Sequence, residues 1–138
     1  MKEGIRIGLS GEYRIRVEEI HLIDFMGAGV PGVLATPWLV SFMERSAQNA
    51  LVPFMEDNEA SVGTEVQIEH FSPTPVGAEV ICTAKVIRVD GRSITFQIEA
   101  HDGQEKIGRA LHKRFVVNKE RFADSVNRKL GSMKHSNL

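Results

Sequence analysis

The sequence predicts an α+β fold in which one curled antiparallel sheet covers a single long helix. The four β-patterned runs that follow residue 60 are joined mostly by tight turn signals, which favours hairpins over crossover connections. The one long helical segment, residues 36–52, is apolar over more than half its circumference, so a sheet must wrap it on most sides. At 138 residues the chain holds enough for one core, and residues 1–138 are expected to form a single domain whose last eight residues are a disordered tail.

Tyr13, Ile15 and Val17 alternate with Arg14 and Arg16, the period-two pattern of a half-buried first strand. Residues 24–32 then crowd three glycines and a proline around Phe25 and Met26, forming either an ordinary connection or a flexible segment able to cover a pocket. Thr36 before Pro37 suits a helix start. A hydroxyl can cap there, and proline at the first helical position lacks only an N–H that would be unpaired anyway. At about 100° per residue, Leu39, Val40, Met43, Ala47, Ala50 and Leu51 share one arc, Glu44 lies on its edge, and Trp38 and Phe42 form a second apolar surface.

Beyond Pro53, the residues Val62, Thr64, Val66, Ile68 and His70 alternate with Gly63, Glu65, Gln67 and Glu69, so His70 continues an apolar strand face. Residues 72–77 break that strand. Residues 78–89 and 92–101 form a hairpin around Asp90-Gly91, and a turn at residues 101–103 leads to a strand over residues 106–117. Asn118 is placed to cap a short amphipathic helix carrying Phe122, Val126 and Leu130.

Composition narrows the function. The chain has 17 basic and 18 acidic residues, and 42% hydrophobic residues, which is ordinary globular usage. Residues 1–104 carry 8 Lys/Arg against 15 Asp/Glu, whereas residues 105–138 carry 9 against 3. This basic C-terminal quarter fits a solvated edge strand and tail, with a site for a phosphorylated ligand as the alternative. Nucleic acid is not expected without net positive charge or interleaved basic and aromatic residues. The lone Cys82 rules out a disulfide framework and fits the cytoplasm. No stretch of about 18 apolar residues exists to enter a membrane.

Glu44 beside the apolar stripe and His70 on the apolar strand face are the chemically informative residues. Thioester hydrolysis needs a carboxylate nucleophile or an activated water, a group that polarises the carbonyl, and a donor for the oxyanion. Glu44, His70, Thr36 and a backbone amide near Gly63 offer those roles. Each has a plain structural alternative: an ion-paired surface acid, a hydrogen-bonded core histidine, a helix cap, a β-bulge. Thr36 and Glu44 are eight residues apart, about 12 Å of helix, so they bracket a substrate without touching. His101 and His112 lack metal-ligand spacing, and no phosphate-binding glycine motif occurs, so neither a metal nor a separate cofactor is expected.

The strings MKEGIRIG, ATPWLVSFMERSA, SVGTEVQIEHFSPTPVG, DGRSITFQIEAHDG and EKIGRALHKRFVVN resemble the fluoroacetyl-CoA thioesterase group of single hot-dog domain proteins, nearly along the whole chain. The most specific parts are Thr36 with Glu44 on the helix and Gly63 with His70 on the strand. The resemblance implies a hot-dog fold, a homodimer with the acyl-CoA site at its interface, and a reaction releasing carboxylic acid and free CoA. It assigns Thr36 to position the thioester, Glu44 as nucleophile or general base, and His70 to proton transfer and leaving-group departure. Gly63 would contribute a backbone N–H. One departure concerns specificity: where the fluoroacetyl-specific enzyme has phenylalanines forming a hydrophobic lid, residues 27–34 here place Gly27 and Val30. A different short acyl group is then expected, with Phe25, Val30 or Trp38 shaping its pocket. Lys106, Arg109, Lys113 and Arg114 are candidates for the CoA phosphates. A non-catalytic acyl-CoA or small-ligand binder and an acyl-CoA hydratase or dehydratase are the rival readings.

Overall fold

The structure, a computed structural model, describes residues 1–23 and 25–136. In chain order it contains β1 (Ser10–Arg16), a 3₁₀ turn (Glu19–His21), β2 (Leu22–Ile23), β3 (Val33–Leu34), α1 (Thr36–Leu51), a second 3₁₀ turn (Val52–Phe54), β4 (Glu59–His70), β5 (Glu79–Asp90), β6 (Ser93–His101), β7 (Lys106–Asn118) and α2 (Lys119–Ser136). Five strands form one antiparallel sheet in the order β1-β5-β6-β7-β4, which leaves β1 and β4 as its edges. The sheet curls around α1, as the apolar circumference of that helix requires.

The core lies between them. Leu39, Phe42, Met43, Ala47, Ala50 and Leu51 of α1 meet Val80, Cys82, Ala84 and Val86 of β5 and Ile94, Phe96, Ile98 and Ala100 of β6, all buried. Gly11 lets β1 run flush against the helix, since a side chain there would strike the backbone of Ser46 and Ala50. Cys82 is fully buried, and burial pushes its thiol up to about 12.

Four local expectations change. Ala35, in an extended conformation, occupies the N-cap of α1 without a side-chain cap bond, so the hydroxyl of Thr36 is released from capping. Asp90 pairs with Ser93, so the β5–β6 loop is Gly91-Arg92, with Gly91 at φ 59° where glycine costs little. The expected alternation of β4 fails at one point. Register shifts between Gly63 and Glu65, leaving Thr64 as an extra, unpaired residue. Finally, Asn118 Oδ1 accepts the Arg121 N–H at 3.1 Å as a cap, but α2 then runs on through residues 131–136, which the sequence reading had taken as tail; residues 137 and 138 of that tail lie outside the described residues. Its Phe122, Val126 and Leu130 are all about half exposed. Among the described residues no helix is long and apolar enough to cross a membrane.

Candidate active site

Thr36 and His70 come together. The Thr36 hydroxyl lies 2.9 Å from His70 Nδ1 in a hydrogen bond that joins the first turn of α1 to the last residue of β4. His70 is half-buried, and its other ring nitrogen, Nε2, is buried without a hydrogen-bond partner. Burial holds the imidazole below its ordinary value of 6.5, opposed by a contact with the Ser72 backbone, so the ring is neutral near pH 7. The pair opens on a cleft of about 390 Å³ walled by Phe25, Phe71 and Pro73. A slightly larger cleft, about 460 Å³, lies between β7 and α2, but no candidate catalytic side chain lines it, so the smaller one is the better substrate site.

Glu44 sits elsewhere on the same chain. Its carboxylate Oε2 accepts a hydrogen bond from Arg114 Nη1 at 3.3 Å and lies 4.0 Å from His112 Nε2. Its side chain is 40% exposed, whereas those of Arg114 and His112 are 6% and 1% exposed. A Cβ on Gly63 would run into the Glu44 carboxylate and come within 3.1 Å of His112, so glycine is the residue that admits this cluster to the strand. The β4 bulge is what turns Gly63 inward. Ser61 and Gly63 before it, and Val66, Ile68 and His70 after it, share the helix-facing side, which an unbroken alternation would not allow.

Arg114 is engaged through four of its five N–H groups. Nε donates to Ser61 Oγ at 2.9 Å, Nη2 to the Ser61 carbonyl at 2.9 Å, and Nη1 to both Glu44 and His112 Nε2, the latter at 3.2 Å. Burial lowers its pKa from 12.5, an effect opposed by Glu44, and the guanidinium keeps its charge.

The other expected residues scatter. Arg114 is not an outward phosphate ligand, because its donors serve Ser61, His112 and Glu44 inside the fold. Lys106, Arg109 and Lys113 are on the surface, paired with Glu99 at 2.8 Å, Glu69 at 3.0 Å and Glu65 at 3.1 Å. Such exposed pairs exchange readily with a phosphate. Phe25 lines the cleft beside Thr36, but Val30 lines a different depression with Leu22 and Met26. Trp38 packs edge-on against His21, with centroids 4.7 Å apart, and near Phe42. His112 was considered from sequence only as a metal ligand. The signal that places it is that it shares the alternate positions of Gly108, Ala110 and Val116, with Arg114, on the buried face of β7.

A model of the fluoroacetyl-CoA-specific thioesterase family matches residues 17–120. The chain belongs to that family. The fluoroacetyl-CoA thioesterase of Streptantibioticus cattleyicolor is 33% identical over 135 residues, 94% of this chain and 97% of that protein. A solved point mutant of a fluoroacetyl-CoA-specific thioesterase superposes with a TM-score of 0.84 at 32% identity, covering 93% of this chain and 99% of the other. A hot-dog-like protein from Thermanaerovibrio acidaminovorans, 20% identical, matches with a TM-score of 0.80 over 89% and 91% of the two chains and speaks to the fold alone. The protein is therefore a thioester hydrolase built on a hot-dog domain, with the curled sheet and central helix that the sequence predicted.

Proposed function

We propose that the chain is a cytoplasmic, metal-free and cofactor-free acyl-CoA thioesterase that hydrolyses a small acyl thioester to a carboxylic acid and free CoA at a site shared by two copies. One observation carries the reading. Thr36 and His70 face a cleft with a buried ring nitrogen unsatisfied, while Glu44 is held by Arg114 about 12 Å further along the helix. The free edge of β4 supports completion by a second copy, since an unpaired edge strand invites an antiparallel partner. Matching inward faces limits the register. A two-fold axis at Gln67 sets Val66 opposite Ile68 of the partner subunit and brings His70 to the bulge beside Gly63 of the partner subunit. Glu44 of the partner subunit then approaches the Thr36–His70 pair.

In that arrangement the Thr36 hydroxyl positions the thioester carbonyl and a backbone N–H near Gly63 stabilises the oxyanion. Glu44 attacks the acyl carbon or takes the proton from an attacking water. Collapse of the tetrahedral intermediate breaks the C–S bond; where Glu44 is the nucleophile this leaves a mixed anhydride that water then opens. On either route the neutral His70 ring gives one proton to the departing thiolate and regains the one released by water. The oxygen of water ends in the carboxylic acid, and its hydrogen replaces the acyl group on sulfur. Gly27 and Val30, where a phenylalanine lid would lie, favour a short acyl group without selection for fluorine. Acetyl-CoA and fluoroacetyl-CoA should therefore turn over with kcat/KM within about ten-fold of each other.

Mixing inactive variants tests the shared site. Glu44→Gln and His70→Ala each lack one half, but a heterodimer of the two keeps one intact site, so mixing and reannealing should restore about a quarter of wild-type thiol release. No recovery despite proven heterodimers places all three groups within one chain. Binding of acyl-CoA without thiol release by the wild-type protein would favour the non-catalytic reading.

A further inference from the structure

The Glu44 cluster contains a buried histidine that the proposed reaction does not use. His112 is 1% exposed and stacked on Phe96, with ring centroids 6.5 Å apart. Its Nδ1 lies 2.8 Å from the carbonyl oxygen of Glu65. A carbonyl only accepts, so Nδ1 carries the hydrogen and donates it. In the neutral ring Nε2 is then a lone pair, and it points at Arg114 Nη1, 3.2 Å away, which has a hydrogen to give. Protonating Nε2 would set two donors against each other.

This fixes a chain of orientation. The Glu65 carbonyl belongs to the residue that follows the bulge, so the bulge itself sets the tautomer of His112. His112 accepts one Nη1 hydrogen, Ser61 accepts from Nε and Nη2, and the remaining Nη1 hydrogen is directed at Glu44. Without His112 the guanidinium loses one of the acceptors that set the direction of the bond to the carboxylate.

We infer that His112 is a positioning residue for hydrolysis: as the neutral Nδ1–H tautomer it aims Arg114 at Glu44 and so holds the carboxylate in its reactive orientation. This rests on Glu44 being the reacting carboxylate. Two substitutions divide the imidazole's functions. His112→Asn keeps an N–H near the Nδ1 position for Glu65 but does not reach Arg114, whereas His112→Gln keeps an oxygen acceptor near the Nε2 position.

The expected result is a loss of kcat in His112→Asn of about 10- to 100-fold with KM within about two-fold, and kcat at least about ten-fold higher in His112→Gln than in His112→Asn. Equal rates in the two variants, or a faster Asn variant, would mean that the ring serves only the Glu65 carbonyl. Should neither variant fold, ¹⁵N NMR of the wild-type imidazole decides: an Nε2–H tautomer or an imidazolium at neutral pH overturns the inference, and the Nδ1–H tautomer upholds it. The outcomes separate from those of the proposed function. A fully active Glu44→Gln overturns both readings, whereas an inert Glu44→Gln beside a wild-type rate in His112→Asn removes only the role of His112.

Discussion

At the start of α1 a hydroxyl and an imidazole share one hydrogen bond and leave a ring nitrogen without a partner; two turns further on, a carboxylate meets a guanidinium whose donors are engaged by Glu44, His112 and Ser61. The first end is an open cleft on the protein surface, while the second is anchored by side chains under the sheet. A charged group is costly to hold near an apolar core unless its hydrogen bonds are in place beforehand, so the chain assembles that end completely. The hydroxyl and neutral imidazole carry only the smaller cost of one buried ring nitrogen left without a partner. In the proposed arrangement that end is finished only when substrate and a second copy arrive.

The comparison breaks most readily at Glu44. Replacing Glu44 by Gln should lower kcat for thiol release by about 10³-fold or more if the carboxylate attacks or activates water as proposed. A residual rate within about ten-fold of wild type would mean that the anchored end is structural only. Gly63→Ala comes next. The added methyl displaces the end of the Glu44 side chain and presses on His112, so kcat should fall by about 10²-fold, with thermal melting separating this local effect from loss of fold. A wild-type rate there would show that Glu44 tolerates misplacement.

The smallest effect concerns pH. His70 and His112 both titrate below 6.5 in the fold, in each case chiefly because of burial, so the unfolded chain binds more protons as acidity rises. Their contribution to stability is full above about pH 6.5 and is lost as pH falls through the folded-state values. Urea unfolding at pH 7.5 and 5.5 should register this. Replacing His112 by Gln should flatten the dependence more than replacing His70 by Gln, because His112 is the more deeply buried. The reverse order would contradict the contrast between a packed end and an open one.

Much of the fold was readable from spacing. The apolar circumference of residues 36–51 required a sheet around it, and the hairpin signals supplied strands of the right order. What the spacing did not show has several physical causes. On β7 the apolar Leu111 and Phe115 are 45% and 42% exposed, whereas the polar His112 and Arg114 face inward. Charge alone, which made Arg114 a candidate for the CoA phosphates beside Lys106, Arg109 and Lys113, does not show which face of the strand it takes. On β4 a single extra residue at Thr64 reversed the phase, and no local signal beyond Gly63 marked it. For Thr36 the sequence leaves two roles open, helix cap and thioester-positioning group, because both use the same hydroxyl; the approach of His70, 34 positions away, tells them apart. Trp38 is a candidate for shaping the pocket only because the lid phenylalanines are missing, and in the fold it packs edge-on against His21.

Cys82 has a consequence for an enzyme whose proposed product is itself a thiol. Free CoA and its oxidised disulfide can cap any exposed cysteine near the place where they accumulate. This protein's single sulfhydryl lies in the core with its pKa pushed up to about 12, so at neutral pH it offers almost no thiolate for exchange. Turnover can proceed through swings in the redox state of the CoA pool without the protein becoming covalently tagged by what it releases.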